Sequence, residues 1–191
     1  MSNILKIIFT TLIFLIISPI SAFISVYLAI VIGHPILFKQ KRSGLNGRKF
    51  YLYKFRTMTN LKKVKDVNRI LGSTVFLRNS RLDEIPQLIN VIKGDLNFIG
   101  PRPLLPEYDK LYNKDQKKRL SIKPGITGWA QVNGDNNISW KKKFQLDLWY
   151  VKNRSVLLDL KIIFLTFIFF MKEGLKKNNK KFITKKFNGR N

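Results

Sequence analysis

The sequence predicts an α/β fold, mainly helical with a small β-hairpin, attached to a membrane by an N-terminal apolar helix with a break at its middle. Three observations carry that expectation. Residues 4–33 hold one charge, Lys6; Asn46-Gly47 separates two strand-like runs; and Leu82, Ile85, Leu88, Ile89 and Ile92 recur at helical spacing.

The apolar run comes first. Pro19 lacks an N–H and crowds the carbonyl four residues back, so a helix through it kinks, with the Ser18 hydroxyl at hand for the freed carbonyl. The flanking halves, 4–17 and 20–32, each reach only roughly 20 Å against a hydrocarbon core of about 30 Å. Two topologies stay open on the residues alone: a kinked spanning helix, or a re-entrant helix-break-helix that enters and leaves by one face. A cleaved signal peptide fits less well, because the apolar run continues past any cleavage site. Nearly all Lys and Arg follow the segment, which keeps the remainder in the cytoplasm.

Composition narrows the chemistry. The 191 residues allow one ordinary core, and 36 Lys and Arg against 11 Asp and Glu give a formal charge of +25. Such a charge favours nucleic acid, an anionic membrane or phosphorylated substrates. There is no cysteine and a single histidine, His34. Thiolate chemistry, Cys-ligated metals and histidine clusters are thereby excluded.

Residues 38–58 read as a hairpin turning at Asn46-Gly47, with Tyr51, Tyr53 and Phe55 on one face and Lys54 and Arg56 on the other. The two cations suit phosphate or a solvated strand face. Residues 59–79 read as loop and short helix. A helix starts near Asp83, with Pro86 in its first turn, and stops at Gly94. "IIFLTFIFFM" at 162–171 is too short to span; beside the basic tail at 172–191, eight Lys and Arg against Glu173, it reads as an interfacial helix or a buried core helix.

Asp83-Glu84 is an adjacent carboxylate pair in a chain poor in acid. Asp83 could cap the helix, or pair with Ser80 in a capping-box pattern. For an isolated Asp at this position capping is the commoner role; the same geometry also suits a nucleophile, kept ionised by the helix end and set beside a phosphoanhydride, with Glu84 holding magnesium. Arg102, fixed between Pro101 and Pro103, can be aimed at phosphate oxygens. Gly125, Gly128 and Trp129 would suit close backbone approach to a ligand with an aromatic for stacking.

Taken in order, "SP" 18–19, "QKRSGLNGRKFYLYKFRTM" 40–58, "RLDEIPQLINVIKGDLNFIGPRP" 81–103, "KPGITGWAQVNG" 123–134 and "FQLDLWYVKNRSVLLDLKIIFLT" 144–166 resemble the small monotopic phosphoglycosyl transferases of the bacterial sugar transferase family. The resemblance implies a re-entrant helix at 1–34, broken at Ser18-Pro19, and a cytoplasmic catalytic domain at 35–191. It implies that Asp83 attacks the β-phosphate of a UDP-sugar, releases UMP and passes the sugar phosphate to undecaprenyl phosphate. Glu84 matches the second acid of the dyad, there to hold Mg2+ with Asp83 or to activate the acceptor, and Arg102, with Lys54 and Arg56, is expected to meet phosphate. Phospholipids are the remaining partner, and nucleic acid is not expected. The body of the chain is most similar to transferases of diacetylbacillosamine phosphate. It departs from the family at Ile7, Thr10 and Asp135. A membrane-tethered basic binding module is the competing class.

Overall fold

The structure, a computed structural model, describes residues 3–59, 71–134, 137–174 and 186–189. Asp135, most of the basic tail and the Ile7 side chain lie outside the described residues.

Helix α1 runs Asn3–Val31 with Pro19 inside it, so the two expected halves form one helical element. The proline removes the N–H that would reach the Leu15 carbonyl, and the Ser18 hydroxyl donates to that carbonyl at 2.7 Å. Ile8–Val31 is long and apolar enough to cross a membrane. Leu15, Ile16, Phe23 and Ile30 point outward, as on a lipid-facing surface. Near its C-terminal end, Ile24 and Leu28 pack on Phe55 and Leu77. Near its N-terminal end, Phe9 meets Phe98 edge to face at 6.0 Å, and Thr10 is fully buried.

Strands β1 (Leu37–Ser43) and β2 (Lys49–Phe55) pair antiparallel, Leu37 opposite Phe55 and Ser43 opposite Lys49. Asn46 and Gly47 take the expected left-handed conformation, φ 51° and 78°. The connection is longer than a two-residue turn: it runs from Gly44 to Arg48, closed by the Gly44 N–H on the Arg48 carbonyl at 2.7 Å. Tyr51 lies on the outer face, while Phe50 and Leu52 pack against Val91 and Leu96. Lys54 alternates with this inner pair, so it turns inward and is no solvated strand cation.

Short helix α2 (Val75–Asn79) leads to a 3₁₀ turn over Leu82–Glu84, then α3 (Gln87–Ile92), which Gly94 ends at φ 77°. Pro86 caps α3 and no side chain caps it; Ser80 donates instead to the Phe76 carbonyl at 2.7 Å. The capping reading of Asp83 therefore does not hold.

Strands β3 (Asn97–Ile99) and β4 (Gly125–Thr127) pair in parallel, which the sequence analysis does not anticipate. Helices α4 (Lys114–Lys117) and α5 (Trp129–Val132) are short. Helix α6 (Trp140–Asn153) carries Trp140 and Phe144 into an aromatic cluster with Tyr108, Tyr112 and Phe187. Phe187 thus belongs to the core, although the sequence reading places it in a basic tail with no part in the core. Helix α7 (Val156–Gly174) is longer than the 162–171 run. It buries Ile162 and leaves Val156, Leu157, Phe164 and Phe167 outward, the one-sided exposure expected of an interfacial helix. Between α6 and α7 opens a groove of about 580 Å³, lined by apolar Leu157, Leu158, Leu160 and Phe164 with Trp149 and Lys161.

Candidate active site

Arg81 adopts a left-handed φ of 54°, which turns the chain sharply and aims both following carboxylates inward. Asp83 and Glu84 are each only 7 % exposed. The strand before the hairpin's end and the loop after β3 bring cations to them from opposite directions.

Glu84 is the anchored member. Its Oε1 accepts from Lys54 Nζ at 2.6 Å and from Arg102 at 3.0 Å, and its Oε2 lies 3.8 Å from Arg81. Burial opposes its charge, but Lys54, Arg102 and Arg81 outweigh burial and hold Glu84 well below the usual carboxylate range.

Asp83 has no direct ion pair among the described residues. Burial, reinforced by the charge of Glu84, raises it to about 6 against the pull of Lys54, Arg78 and Arg81. Two adjacent carboxylates thus diverge: one is a fixed anion, the other titrates near neutrality. Burial also lowers the Lys54 ammonium, in opposition to Glu84. Lys54, Arg78, Arg81 and Arg102 surround two carboxylates, a surplus of positive charge in a shielded site.

Arg102 is positioned through its backbone as well as by its prolines. Arg119 donates to the Arg102 carbonyl at 2.6 Å and to Asp147 at 2.9 Å, deep in the core. Sequence reasoning missed this buried pair, because its members lie on segments with no shared motif.

Other expected residues take different places. Arg56 turns from the dyad to cap α1, donating to the Ile32 carbonyl at 3.0 Å and to Gly33. Gly125 and Gly128 do approach backbone closely, but that backbone is the chain's own: a Cβ on either would collide with Gly100. Gly128 is extended at φ −172°, so it is space and not conformation that demands glycine there. Trp129 stacks on Trp149 at 5.1 Å, with Lys161 over its ring at 5.7 Å. These residues lock the Arg102 loop to β4 and the groove helices together.

Residues 1–187 match the family model described as bacterial sugar transferase. Among similar proteins is the uncharacterized sugar transferase EpsL of Bacillus subtilis, 52 % identical over 154 residues, covering 78 % of this chain and 76 % of EpsL. The UDP-glucose:undecaprenyl-phosphate glucose-1-phosphate transferase of Xanthomonas campestris is 42 % identical over 148 residues, 69 % of this chain and 31 % of that one. The undecaprenyl-phosphate galactose phosphotransferase of Salmonella typhimurium is 36 % identical over 156 residues, 70 % and 33 % respectively. The chain spans about three quarters of EpsL and about a third of the two longer relatives. With a match over nearly its whole length, the chain belongs to the bacterial sugar transferase family.

Proposed function

We propose that this protein transfers a sugar 1-phosphate from a UDP-sugar to undecaprenyl phosphate through a covalent intermediate on Asp83. The observation that carries the reading is the split dyad: Glu84 is neutralised by Lys54, Arg102 and Arg81, while Asp83 is left without a direct ion pair beneath surplus positive charge. The relatives named above for glucose and galactose transfer act on undecaprenyl phosphate, which supports the same acceptor here.

In the first half-reaction an Asp83 oxygen bonds to the β-phosphorus, and the bond from that phosphorus to the bridging oxygen breaks. UMP leaves with that oxygen. The acceptor's phosphate oxygen then bonds to the same phosphorus, and the carboxylate of Asp83 is restored. Lys54 and Arg102 neutralise the oxygens of the transferred group, held in place by Glu84 rather than by solvent. Glu84 is a positioning residue in this scheme.

The donor set fits magnesium held chiefly by substrate. Asp83 offers a carboxylate free of ion pairs, Glu84 is committed to three cations, and no three His, Asp or Glu cluster among the described residues. Asp83 would hold the ion together with substrate oxygens, and its charge would screen the repulsion between the carboxylate and the diphosphate.

The site works at the cytoplasmic surface of the bacterial inner membrane, with α1 re-entrant and the protein monotopic. Contacts at both ends of α1 support this: Phe9 touches Phe98, while Ile24 and Leu28 touch Phe55 and Leu77, so both ends meet the same domain. A straight spanning helix would carry Phe9 to the far side. With the reactive carboxylate fixed at interface height, the encounter with a lipid-borne phosphate is close to intramolecular.

The donor is tested with a panel holding UDP-diacetylbacillosamine, which the sequence favours, other N-acetylated UDP-sugars, UDP-glucose and UDP-galactose. Detergent-solubilised protein with undecaprenyl phosphate and magnesium should release UMP from one of them, and Asp83→Asn should release none. UMP release by a folded Asp83→Asn protein would exclude Asp83 as the nucleophile.

A further inference from the structure

On the reading that the site binds a nucleotide diphosphate, we propose that Arg42 and Gln87 join Arg102 in a second phosphate subsite, which holds the leaving-group phosphate of the UMP. Three observations meet there. The first is an unsatisfied donor: Arg42 gives one nitrogen to Gln40 at 2.6 Å and another to the Pro103 carbonyl at 3.3 Å, and its Nε is buried without a partner. The second is Gln87, the first residue of α3, which is 3 % exposed and makes no side-chain hydrogen bond among the described residues. A buried donor such as Arg42 Nε is rarely left unpaired, so its persistence points to a ligand or a water, and the unbonded Gln87 amide adds a second polar group beside it.

The third observation is position. Arg42, Gln87 and Arg102 line one small cavity, walled by Leu52, Gly125 and Ile126. Burial, and next the charge of Arg102, lower the Arg42 guanidinium to about 10 against the opposing charge of Glu84. Arg102 links the two regions: it shares Glu84 Oε1 with Lys54 beside the dyad, and it lines the cavity with Arg42. In-line displacement sets the leaving oxygen opposite the attacking one, and that places the departing phosphate at Arg42.

As the bridging bond breaks, its electron pair stays with the UMP phosphate, whose added charge the Arg42 and Arg102 guanidiniums and the Gln87 amide meet. The free cavity, about 10 Å³, admits one oxygen atom. A single phosphate oxygen enters it, with the rest of the group at the mouth beside the part-exposed Arg102.

The test measures binding of UMP and of uridine to the full chain in detergent by calorimetry. Wild type should bind UMP at least tenfold more tightly than uridine. Arg42→Met and Gln87→Leu should each weaken UMP about tenfold and leave uridine unchanged, with Arg42→Lys recovering part of the loss. Gln87→Leu breaks no hydrogen bond of the free protein, so its melting temperature should match wild type and its affinity can be read without ambiguity. Wild-type UMP affinity in Gln87→Leu and in a folded Arg42→Met protein would overturn the subsite alone, leaving the cavity a water site. Failure of the wild type to bind UMP at all would overturn the nucleotide reading together with it.

Discussion

Lys54 Nζ lies 2.6 Å from Glu84 Oε1, and both side chains are largely withdrawn from solvent, at 18 % and 7 % exposure. A pair this buried is costly to break from one side, because the surviving charge is stranded. Glu84→Gln keeps the shape and removes the anion from three cations. Unfolding of the solubilised protein should show a loss of about 3–5 kcal/mol. Turnover should fall at least a hundredfold, through misplacement of Lys54 and Arg102. A stability change below about 1 kcal/mol would mean that the cations are solvated and the clamp is weak.

The same substitution acts on Asp83. The charge of Glu84 helps hold Asp83 up near 6, and in Glu84→Gln the released Lys54 can also turn to it. The acid limb of the residual activity should therefore move to lower pH.

The wild-type acid limb follows from the direction of the Asp83 shift. Its carboxyl is raised from 3.8 to about 6, so the ionised form that the proposed mechanism requires is depleted below pH 6. The rate of UMP release should fall about tenfold per pH unit there. For stability the sign is reversed: this group's contribution is fully present below about pH 4 and is lost as pH rises through 6. The difference amounts to on the order of 3 kcal/mol. Asp83→Asn removes the buried charge, so at pH 8 it should be as stable as wild type or more so, while inactive. A destabilised Asp83→Asn protein at pH 8 would assign the carboxylate a structural role instead.

Gly128→Ala tests how the Arg102 loop is held. The new methyl would strike the Gly100 backbone, which cannot yield as a flexible side chain would. Overpacking of this kind typically costs about 1–3 kcal/mol, and rigid backbone puts it at the upper end. Activity should drop with stability, because the Gly100 strand end leads directly to Arg102. Normal turnover in Gly128→Ala would uncouple β4 from the site.

Much of the site was legible because its signals are local. A proline pair around Arg102, the paired acids at Asp83 and Glu84, and the Asn46-Gly47 turn each reveal themselves within a few residues. What escaped depends on distant segments. Arg56 and Lys54 are near neighbours on one strand face, yet the first caps α1 and the second grips Glu84. Strand alternation cannot say which cation α1 will claim. The Arg119 and Asp147 pair, the parallel β3 and β4, and the glycines pressed against Gly100 likewise depend on contacts made only after folding.

The chain has no cysteine, which makes topology directly measurable. Ser2→Cys and His34→Cys flank α1. With both ends of the helix on one domain, an impermeant maleimide should label both residues from the cytoplasmic side and neither from outside. Labelling from opposite sides would establish a spanning helix.

The most direct measurement is a burst experiment: protein at micromolar concentration mixed with its UDP-sugar and no undecaprenyl phosphate, with UMP and intact protein mass followed together. Covalent transfer to Asp83 requires close to one UMP per protein and a mass increase equal to one sugar phosphate, both absent in Asp83→Asn and discharged by added acceptor. UMP formed only when undecaprenyl phosphate is present, with no mass change, would contradict the covalent route and show direct transfer.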